Sequence, residues 1–188
     1  MKVKIGVSNR HVHLKKEDLY TLFGSNYELE KARDLTQPGE FASTAFVELK
    51  TATTSIDNVR VLGPTRAYTQ VEVSATDAFV LEINPPVRNS GDLVGSSPIT
   101  IIGPKGTINL TEGCIVATRH IHANLEDLKR LGLNHNDIVS VKVDGVKGGI
   151  MDQVYIKASD KFVYELHLDT DDANGHMLKN GDEVTIIK

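Results

Sequence analysis

A chain of 188 residues with 40% hydrophobic content can bury a substantial core, enough for one domain or two small ones. The formal net charge is -4 and charges of both signs are interspersed, which excludes a broad electropositive face, so we expect no nucleic-acid partner. The single Cys114 cannot form an internal disulfide, so a disulfide-stapled secreted scaffold is excluded and a reducing cytosol is favoured.

The beginning of the chain carries no export signal. Residues 1–5 alternate between polar and apolar and lack the long apolar core of a signal peptide. No uninterrupted apolar stretch approaches the roughly 20 residues that a membrane-spanning helix requires. We therefore expect a soluble, cytoplasmic protein with no membrane partner.

Short runs of alternating polar and apolar residues, typical of β-strands, recur along the chain. They lie at 3–7, 46–49, 59–62, 69–73, 79–83, 99–102, 138–143, 154–156, 162–168 and 183–187. Clusters of Pro, Gly and Asn separate them, which favours a barrel or sandwich over a βαβ series. Only two helices are predicted: 15–22, which stops at Gly24, and 125–131, with Asn124 as N-cap and Gly132 as terminator.

Nearly identical sequence motifs precede the two predicted helices. Arg10-His11-Val12-His13 precedes the first helix, and Arg119-His120-Ile121-His122 precedes the second, 109 positions later (11 to 120). A weaker correspondence pairs residues 70–78 with residues 165–173 and sets Glu72 opposite His167. These matches indicate an internal duplication.

The duplicated segments carry potential metal ligands. In an extended chain, residues two apart project from the same face, so each His-x-His motif offers two imidazoles to one point. The donors are His11, His13, Glu72, His120, His122 and His167. They suffice for two ions with open positions, which indicates catalysis rather than structure; zinc suits this donor set, and cobalt or nickel would also be accepted. A single His-x-His is more often a packing or surface feature, but its repetition favours metal binding.

Two further histidines are weaker candidates. His176 is close enough in sequence to His167 to be a rival ligand, although its counterpart in the first copy is not a donor. His135 lies in a polar turn after a helix, where a solvated loop role is favoured over ligation.

Together, the segments 10–13, 66–72, 86–92, 119–122 and 166–171 resemble the PduL-type phosphate acyltransferases, also called phosphate propanoyltransferases. The resemblance covers essentially the whole chain, and its motifs occur in the family's order. It implies a mainly β fold of two duplicated closed β-barrels capped by short α-helices. One barrel would hold 1–9 plus 118–188 and the other 10–117, with the active site between them.

The resemblance implies a phosphotransacylase that interconverts acyl-CoA and inorganic phosphate with acyl phosphate and coenzyme A, the acyl group being propanoyl or acetyl. Two Zn²⁺ per chain are implied, with coenzyme A as substrate or product. One ion would be held by Glu72, His120, His122 and His167. The other would be held by His11 and His13 and keep room for the thiol of coenzyme A.

Arg66 resembles the family's essential arginine, and its guanidinium is shaped to hold two phosphate oxygens; the alternative is an ordinary salt bridge. Further candidate ligand-binding residues are Arg88, Ser90, Gly91, Arg10 and Arg119. The first three equally suit a plain connecting loop, and the two arginines before the His-x-His motifs equally suit a structural role.

Relatives packaged in bacterial microcompartments carry an amphipathic N-terminal extension that is not evident here, so a free cytoplasmic enzyme is expected. Family members often self-associate, and a homodimer is the expected assembly. Two other functions remain open: a zinc hydrolase of thioesters, amides or phosphoesters, and a barrel domain in which bound metal only stabilises the fold.

Overall fold

The computed structural model describes residues 1–187, and β-strands dominate it. In chain order the strands are β1 (Lys2–Ser8), β2 (His11–Lys15), β3 (Lys31–Asp34), β4 (Phe41–Lys50), β5 (Ser55–Arg66), β6 (Gln70–Glu72), β7 (Val87–Arg88), β8 (Ser97–Ile102), β9 (Thr107–Ala117), β10 (His120–Ala123), β11 (Ile138–Val143), β12 (Gly149–Ala158), β13 (Glu165–Asp169) and β14 (Glu183–Ile187). The helices are α1 (Lys16–Phe23), α2 (Ala75–Val80), α3 (Leu125–Leu131) and α4 (Thr170–Gly175).

The chain divides into two compact units. The first unit contains residues 1–9, 36–38 and 118–187, and the second contains residues 10–35 and 39–117. Within the described residues, no helix has the length and apolar character needed to cross a membrane.

The first unit is a closed six-stranded barrel with the strand order β1-β13-β10-β12-β11-β14. Its strands alternate between buried and exposed residues, as in β1, where Val3 and Ile5 are buried while Lys2 and Lys4 are exposed. Period-two alternation points one side of each strand into the barrel interior. The core includes Ile121, Val141, Val154, Ile156, Leu166 and Val184.

The second unit also closes into a barrel of six strands. The ring runs β4-β5-β2-β6-β9-β8, and β8 returns to β4, while β3 is added beside β4 and β7 beside β9. Its core includes Val12, Leu14, Val47, Leu49, Val61 and Ile101. The two closed barrels with their short helices confirm the predicted mainly β fold.

The duplication is visible in strand pairing. In the second unit, His11 of β2 lies opposite Glu72 of the antiparallel β6, and β2 also pairs in parallel with β5. In the first unit, His120 of β10 lies opposite His167 of the antiparallel β13, and β10 also pairs in parallel with β12. The two halves therefore repeat the same local arrangement around each His-x-His motif.

The prediction of only two helices is wrong, because α2 and α4 are also present. The strand predicted at 79–83 is wrong as well, because α2 covers its beginning. Each of these helices has six residues, too few to show an apolar period. Ser74 and Asp77 form a capping box at the start of α2, a Ser-x-x-Asp signal that could have indicated a helix. The apolar residues Phe79 and Val80 end this helix with exposed side chains, which is why their pattern imitated a strand.

Candidate functional site

The second unit brings together His11, His13 and Glu72. One potential ligand atom from each lies within 4.8 Å of the others. The two histidines project from β2, where they are 7% and 3% exposed, and the antiparallel neighbour β6 supplies the carboxylate. His11 Nε2 lies 3.5 Å from Glu72 Oε2. Two imidazoles and one carboxylate form a mixed nitrogen and oxygen donor set of the kind that binds zinc.

The protonation state of His13 suits a metal ligand. Burial lowers the pKa of its imidazole far below the usual value, and His11 and the positive charge of Arg66 lower it further. The ring is therefore neutral at physiological pH. Its Nδ1 is buried and accepts no hydrogen bond from the described residues. A buried ring nitrogen without a polar partner is costly, and a metal ion would satisfy it, so the cluster fits a divalent ion.

The first unit brings together His120, His122 and His167, again with one potential ligand atom each within 4.8 Å of the others. His120 Nδ1 lies 2.8 Å from the carbonyl oxygen of Thr118. Because a carbonyl only accepts, Nδ1 carries the proton and Nε2 keeps the lone pair. Burial lowers the pKa of His120 well below its ordinary value, and Lys157 and the two neighbouring imidazoles add to this effect. This cluster also fits a divalent ion.

Glu165 is a functional candidate that the sequence analysis missed. Its Oε2 lies 2.7 Å from Nε2 of His167, and its side chain is 12% exposed. The same spacing occurs in β6, where Gln70 Nε2 donates to Glu72 Oε1 at 2.6 Å. A polar residue two positions before a strand ligand, in an otherwise apolar segment, is the sequence signal that could have indicated both Gln70 and Glu165.

Arg66 ends β5 and donates hydrogen bonds to two side chains. Its Nη2 donates to Glu40 Oε1 at 2.8 Å, and its Nη1 donates to Ser90 Oγ at 3.2 Å. Gln70 Nε2 also donates to Ser90 Oγ, at 2.9 Å, and the Gly91 amide donates to Gln70 Oε1 at 2.7 Å. The predicted residues Arg66, Ser90 and Gly91 are thus brought together. Glu40 was not predicted, because it lies in a loop outside any repeated pattern.

The predicted residues Arg10 and Arg119 both form ion pairs with a helix carboxylate. Arg10 Nη1 donates to Asp77 Oδ1 at 2.8 Å. Arg119 holds Asp172 with two hydrogen bonds, from Nε at 2.9 Å and from Nη2 at 2.6 Å, and these bonds are the main reason that its pKa is raised. Each pair fastens the approach to a His-x-His strand to the first turn of a short helix, which favours the structural role for both arginines.

The remaining candidates lie apart from the two clusters in their contacts. Arg88 is half-exposed and its Nε lies 3.6 Å from Asp92 Oδ2. His176 Nδ1 donates to the carbonyl oxygen of Lys147 at 2.8 Å, and His135 Nδ1 accepts from the Ala158 amide at 3.1 Å. Neither histidine belongs to a group of potential ligands among the described residues.

Glu72 lies with a different pair of histidines from the one that the resemblance implied. The resemblance assigned Glu72 to the ion of His120, His122 and His167. In the structure, Glu72 is grouped with His11 and His13, the pair with which the resemblance did not place it. The strand register explains this grouping, because β6 lies beside β2 in the same barrel.

Comparison with known proteins gives consistent matches over nearly the whole chain. A family model described as phosphate propanoyltransferase matches residues 4–179. A phosphate propanoyltransferase of Thermotoga maritima is 50% identical over 185 residues, which cover 98% of this chain and 88% of that protein. Those of Rhodopseudomonas palustris and Lachnoclostridium phytofermentans are 46% and 47% identical; the matches cover 99% and 98% of this chain and 82% and 87% of the relatives.

Proposed function

Because this chain belongs to the phosphate propanoyltransferase family, we propose that it interconverts acyl-CoA and inorganic phosphate with acyl phosphate and coenzyme A. The acyl groups that we expect are propanoyl and acetyl. The structural observation that carries the proposal is the continuous set of contacts from the cluster of His11, His13 and Glu72 to the guanidinium of Arg66. These contacts join a candidate metal site to the arginine that would bind phosphate, within one unit.

Two divalent ions, preferably zinc, would be held by the two clusters. The ligands would be His11, His13 and Glu72 for one ion, and His120, His122 and His167 for the other. When bound, zinc would supply Lewis acidity toward the thioester carbonyl and a soft partner for the thiolate that departs. The buried, neutral imidazoles of His13 and His120 keep lone pairs available at physiological pH.

Arg66 would bind the phosphate substrate. A guanidinium presents two parallel N–H donors that match two oxygens of one phosphate, which fixes the orientation of the third and fourth oxygens. One phosphate oxygen then attacks the thioester carbonyl carbon, the carbon–sulfur bond breaks, and sulfur leaves with the bonding electrons as the thiolate of coenzyme A. Holding the phosphate in a fixed place makes this attack effectively intramolecular.

Ser90 and Glu40 would adjust how Arg66 presents its donors. Ser90 Oγ accepts from Nη1 and fixes one edge of the guanidinium. Glu40 accepts from Nη2 and partly neutralises the charge that attracts phosphate. The carboxylate of Glu40 therefore opposes the binding of phosphate by its negative charge.

The test is the release of coenzyme A from propanoyl-CoA and acetyl-CoA by the purified chain, with and without phosphate, before and after chelation and zinc restoration. We expect release that requires phosphate, stops on chelation and returns with zinc. Arg66→Ala should reduce kcat/KM for phosphate at least about 100-fold, because it removes two charge-assisted hydrogen bonds. Arg33→Ala, an exposed substitution in β3, is the matched control and should retain full activity.

Three other results would contradict the proposal in different ways. Release of coenzyme A without phosphate would indicate a thioester hydrolase. Full activity after metal removal would eliminate the role of the two clusters. A chain that releases no coenzyme A but melts at a lower temperature after chelation would be a barrel stabilised by metal.

A further inference from the structure

Each cluster contains a strand ligand that is contacted by the residue two positions before it. Gln70 Nε2 donates to Glu72 Oε1 at 2.6 Å, and Glu165 Oε2 lies 2.7 Å from His167 Nε2. Residues two apart on a strand share a face, so the backbone alone brings these side chains together. The contact is thus built into β6 and β13 and does not depend on a loop.

Positions 70 and 165 are equivalent in the two units. Gln70 lies opposite His13 across the β2–β6 pair, and Glu165 lies opposite His122 across the β10–β13 pair. Each therefore occupies the same place relative to the His-x-His motif of its own barrel. The repeated register makes the two contacts one structural device that occurs twice.

The donor and acceptor roles of the strand ligand and its neighbour are exchanged between the two copies. Where the strand ligand is a carboxylate, the preceding residue is an amide that donates an N–H. Where the strand ligand is an imidazole, the preceding residue is a carboxylate, which only accepts when ionised. Ligand and neighbour have both changed between the copies, while the hydrogen bond between them is kept.

We propose that Gln70 and Glu165 are positioning residues that fix Glu72 and His167 for metal binding. This inference rests on the metal sites of the proposed function. Because Glu165 accepts, the proton of the His167 ring is on Nε2, and the lone pair for the ion is on Nδ1. Because Gln70 Nε2 donates to Oε1 of Glu72, the other carboxylate oxygen, Oε2, would be the metal ligand; it lies 3.5 Å from His11 Nε2.

Gln70 also connects its metal cluster with the arginine. It is fully buried, its Nε2 donates to Ser90 Oγ, and its Oε1 accepts from the Gly91 amide. The Gly91 bond fixes which end of the amide is the donor, so Nε2 must face Glu72 and Ser90. Since Ser90 also accepts from Arg66, displacing Gln70 would disturb both the metal ligand and the phosphate-binding group.

Gly6 leaves the space that Glu165 occupies. It lies directly beside His167 in the β1–β13 pair, and a Cβ at position 6 would be 2.9 Å from the carboxylate carbon and Oε2 of Glu165. An alanine there would push the carboxylate away from its position without removing any polar group. Gly6→Ala therefore tests the position of Glu165 independently of its charge.

The experiment is a titration of the full chain with Co²⁺, followed by its visible absorption, and with Zn²⁺ in competition with a chelator. The variants are Gln70→Met and Glu165→Met, which remove the hydrogen bonds at nearly constant volume, together with Gly6→Ala. We expect the native chain to bind two ions, and each Met variant to weaken one binding step about 10–100-fold while the other step is unchanged. Gly6→Ala should weaken the same step as Glu165→Met.

Glu165→Gln and Glu30→Met are the controls. The first keeps an amide oxygen that can accept from His167 and should lose less than about 10-fold in affinity. The second changes an exposed glutamate and should change neither step. Metal-free melting temperatures, measured in parallel, separate positioning from structure, because positioning lowers the gain in melting temperature on metal binding rather than the metal-free value. Should Gln70→Met fail to fold, Glu165→Met and Gly6→Ala decide the inference.

Two results would overturn the inference, and they differ in what else they remove. If the native chain binds two ions and all variants bind them equally tightly, the positioning role is wrong and the proposed function is untouched. If the native chain binds neither Co²⁺ nor Zn²⁺, the metal sites of the proposed function are wrong as well.

Discussion

The guanidinium of Arg66 forms an ion pair with Glu40, whose Oε1 accepts a hydrogen bond from Nη2 at 2.8 Å. Both side chains are partly exposed, so this ion pair is worth only about 0.5–1 kcal/mol. Glu40→Gln keeps an acceptor but removes the negative charge that opposes phosphate. We expect the KM for phosphate to fall about 2–5-fold in steady-state assays, with the KM for acyl-CoA unchanged.

The control for this prediction is Glu30→Gln, which neutralises an exposed glutamate outside the arginine contacts and should leave both KM values unchanged. A rise in the KM for phosphate in Glu40→Gln would show that the glutamate mainly holds Arg66 in position rather than opposing the substrate.

Arg119 and Asp172 should contribute strongly to stability. Two parallel hydrogen bonds join them, and the Arg119 Nη1 donates to the Asp152 carbonyl oxygen at 2.9 Å. We expect Arg119→Ala to lower the free energy of unfolding by about 1.5–3 kcal/mol in urea titrations. Arg119→Lys should restore little of this loss, because an ammonium cannot form the same bidentate contact.

An exposed ion pair gives the comparison for this prediction. Lys142 Nζ lies 3.0 Å from Asp144 Oδ1, and both side chains are more than half exposed. Lys142→Ala should change the free energy of unfolding by less than about 0.5 kcal/mol. Equal losses in Arg119→Ala and Lys142→Ala would contradict a special role for the Asp172 pair.

Cys114 should make the free energy of unfolding depend on pH in the alkaline range. Burial raises the pKa of its thiol from 9.0 to about 12, and the Asp77 carboxylate adds to the shift. Above pH 9 the unfolded chain loses a proton that the folded chain retains. The stabilisation is therefore complete below pH 9 and declines by up to about 1.4 kcal/mol per pH unit as the pH rises towards 12.

Urea titrations between pH 8 and 11 measure this dependence. Cys114→Ala should remove the part of the slope that begins near pH 9, whereas the slope from Tyr164, whose pKa burial raises to about 12, should remain and begin near pH 10. The native thiol should also resist alkylation at pH 8, and rapid alkylation of the folded chain would refute the assignment.

Two glycines should respond oppositely to alanine. A Cβ at Gly106 would collide with the backbone carbonyl oxygen of Thr21, which cannot rotate away. Gly175 ends α4, and apart from its chain neighbours and the backbone of its own helix no described atom lies within 4 Å of the Cβ position. We expect Gly106→Ala to destabilise the fold by about 1–3 kcal/mol and Gly175→Ala to be neutral or stabilising by less than about 1 kcal/mol. Thermal melting of the two variants side by side decides this, and similar shifts would be inconsistent with it.

The parts of the site that could be predicted lie on strands. Of the parts that were missed, Glu165 also lies on a strand, whereas Glu40 lies in a loop and pairs with the distant Arg66. The His-x-His repeat and the correspondence of Glu72 with His167 follow from period-two geometry and from duplication. They made His11 and His120 candidate ligands before any strand pairing was known. The pairing of Arg66 with Glu40 joins positions 26 residues apart and leaves no periodic trace.

Chain topology also limited the ligand allocation. The sequence supplies two histidine pairs and two strand ligands but does not specify which strands are neighbours. The pairing of β6 with β2 places Glu72 in one group of potential ligands with His11 and His13. The short helices α2 and α4 were also missed, because they are defined by their N-caps rather than by an apolar period.

The position of β1 has a consequence for synthesis of the chain. Its partners are β13 and β14, so Lys2 lies opposite Thr185 and the earliest strand pairs with some of the latest. On the ribosome, residues 10–117 are synthesised before the partner strands of β1, and such distant pairing slows folding. A circular permutant that begins at residue 10 and joins the old ends by a short linker would make each unit continuous apart from 36–38, removing this delay.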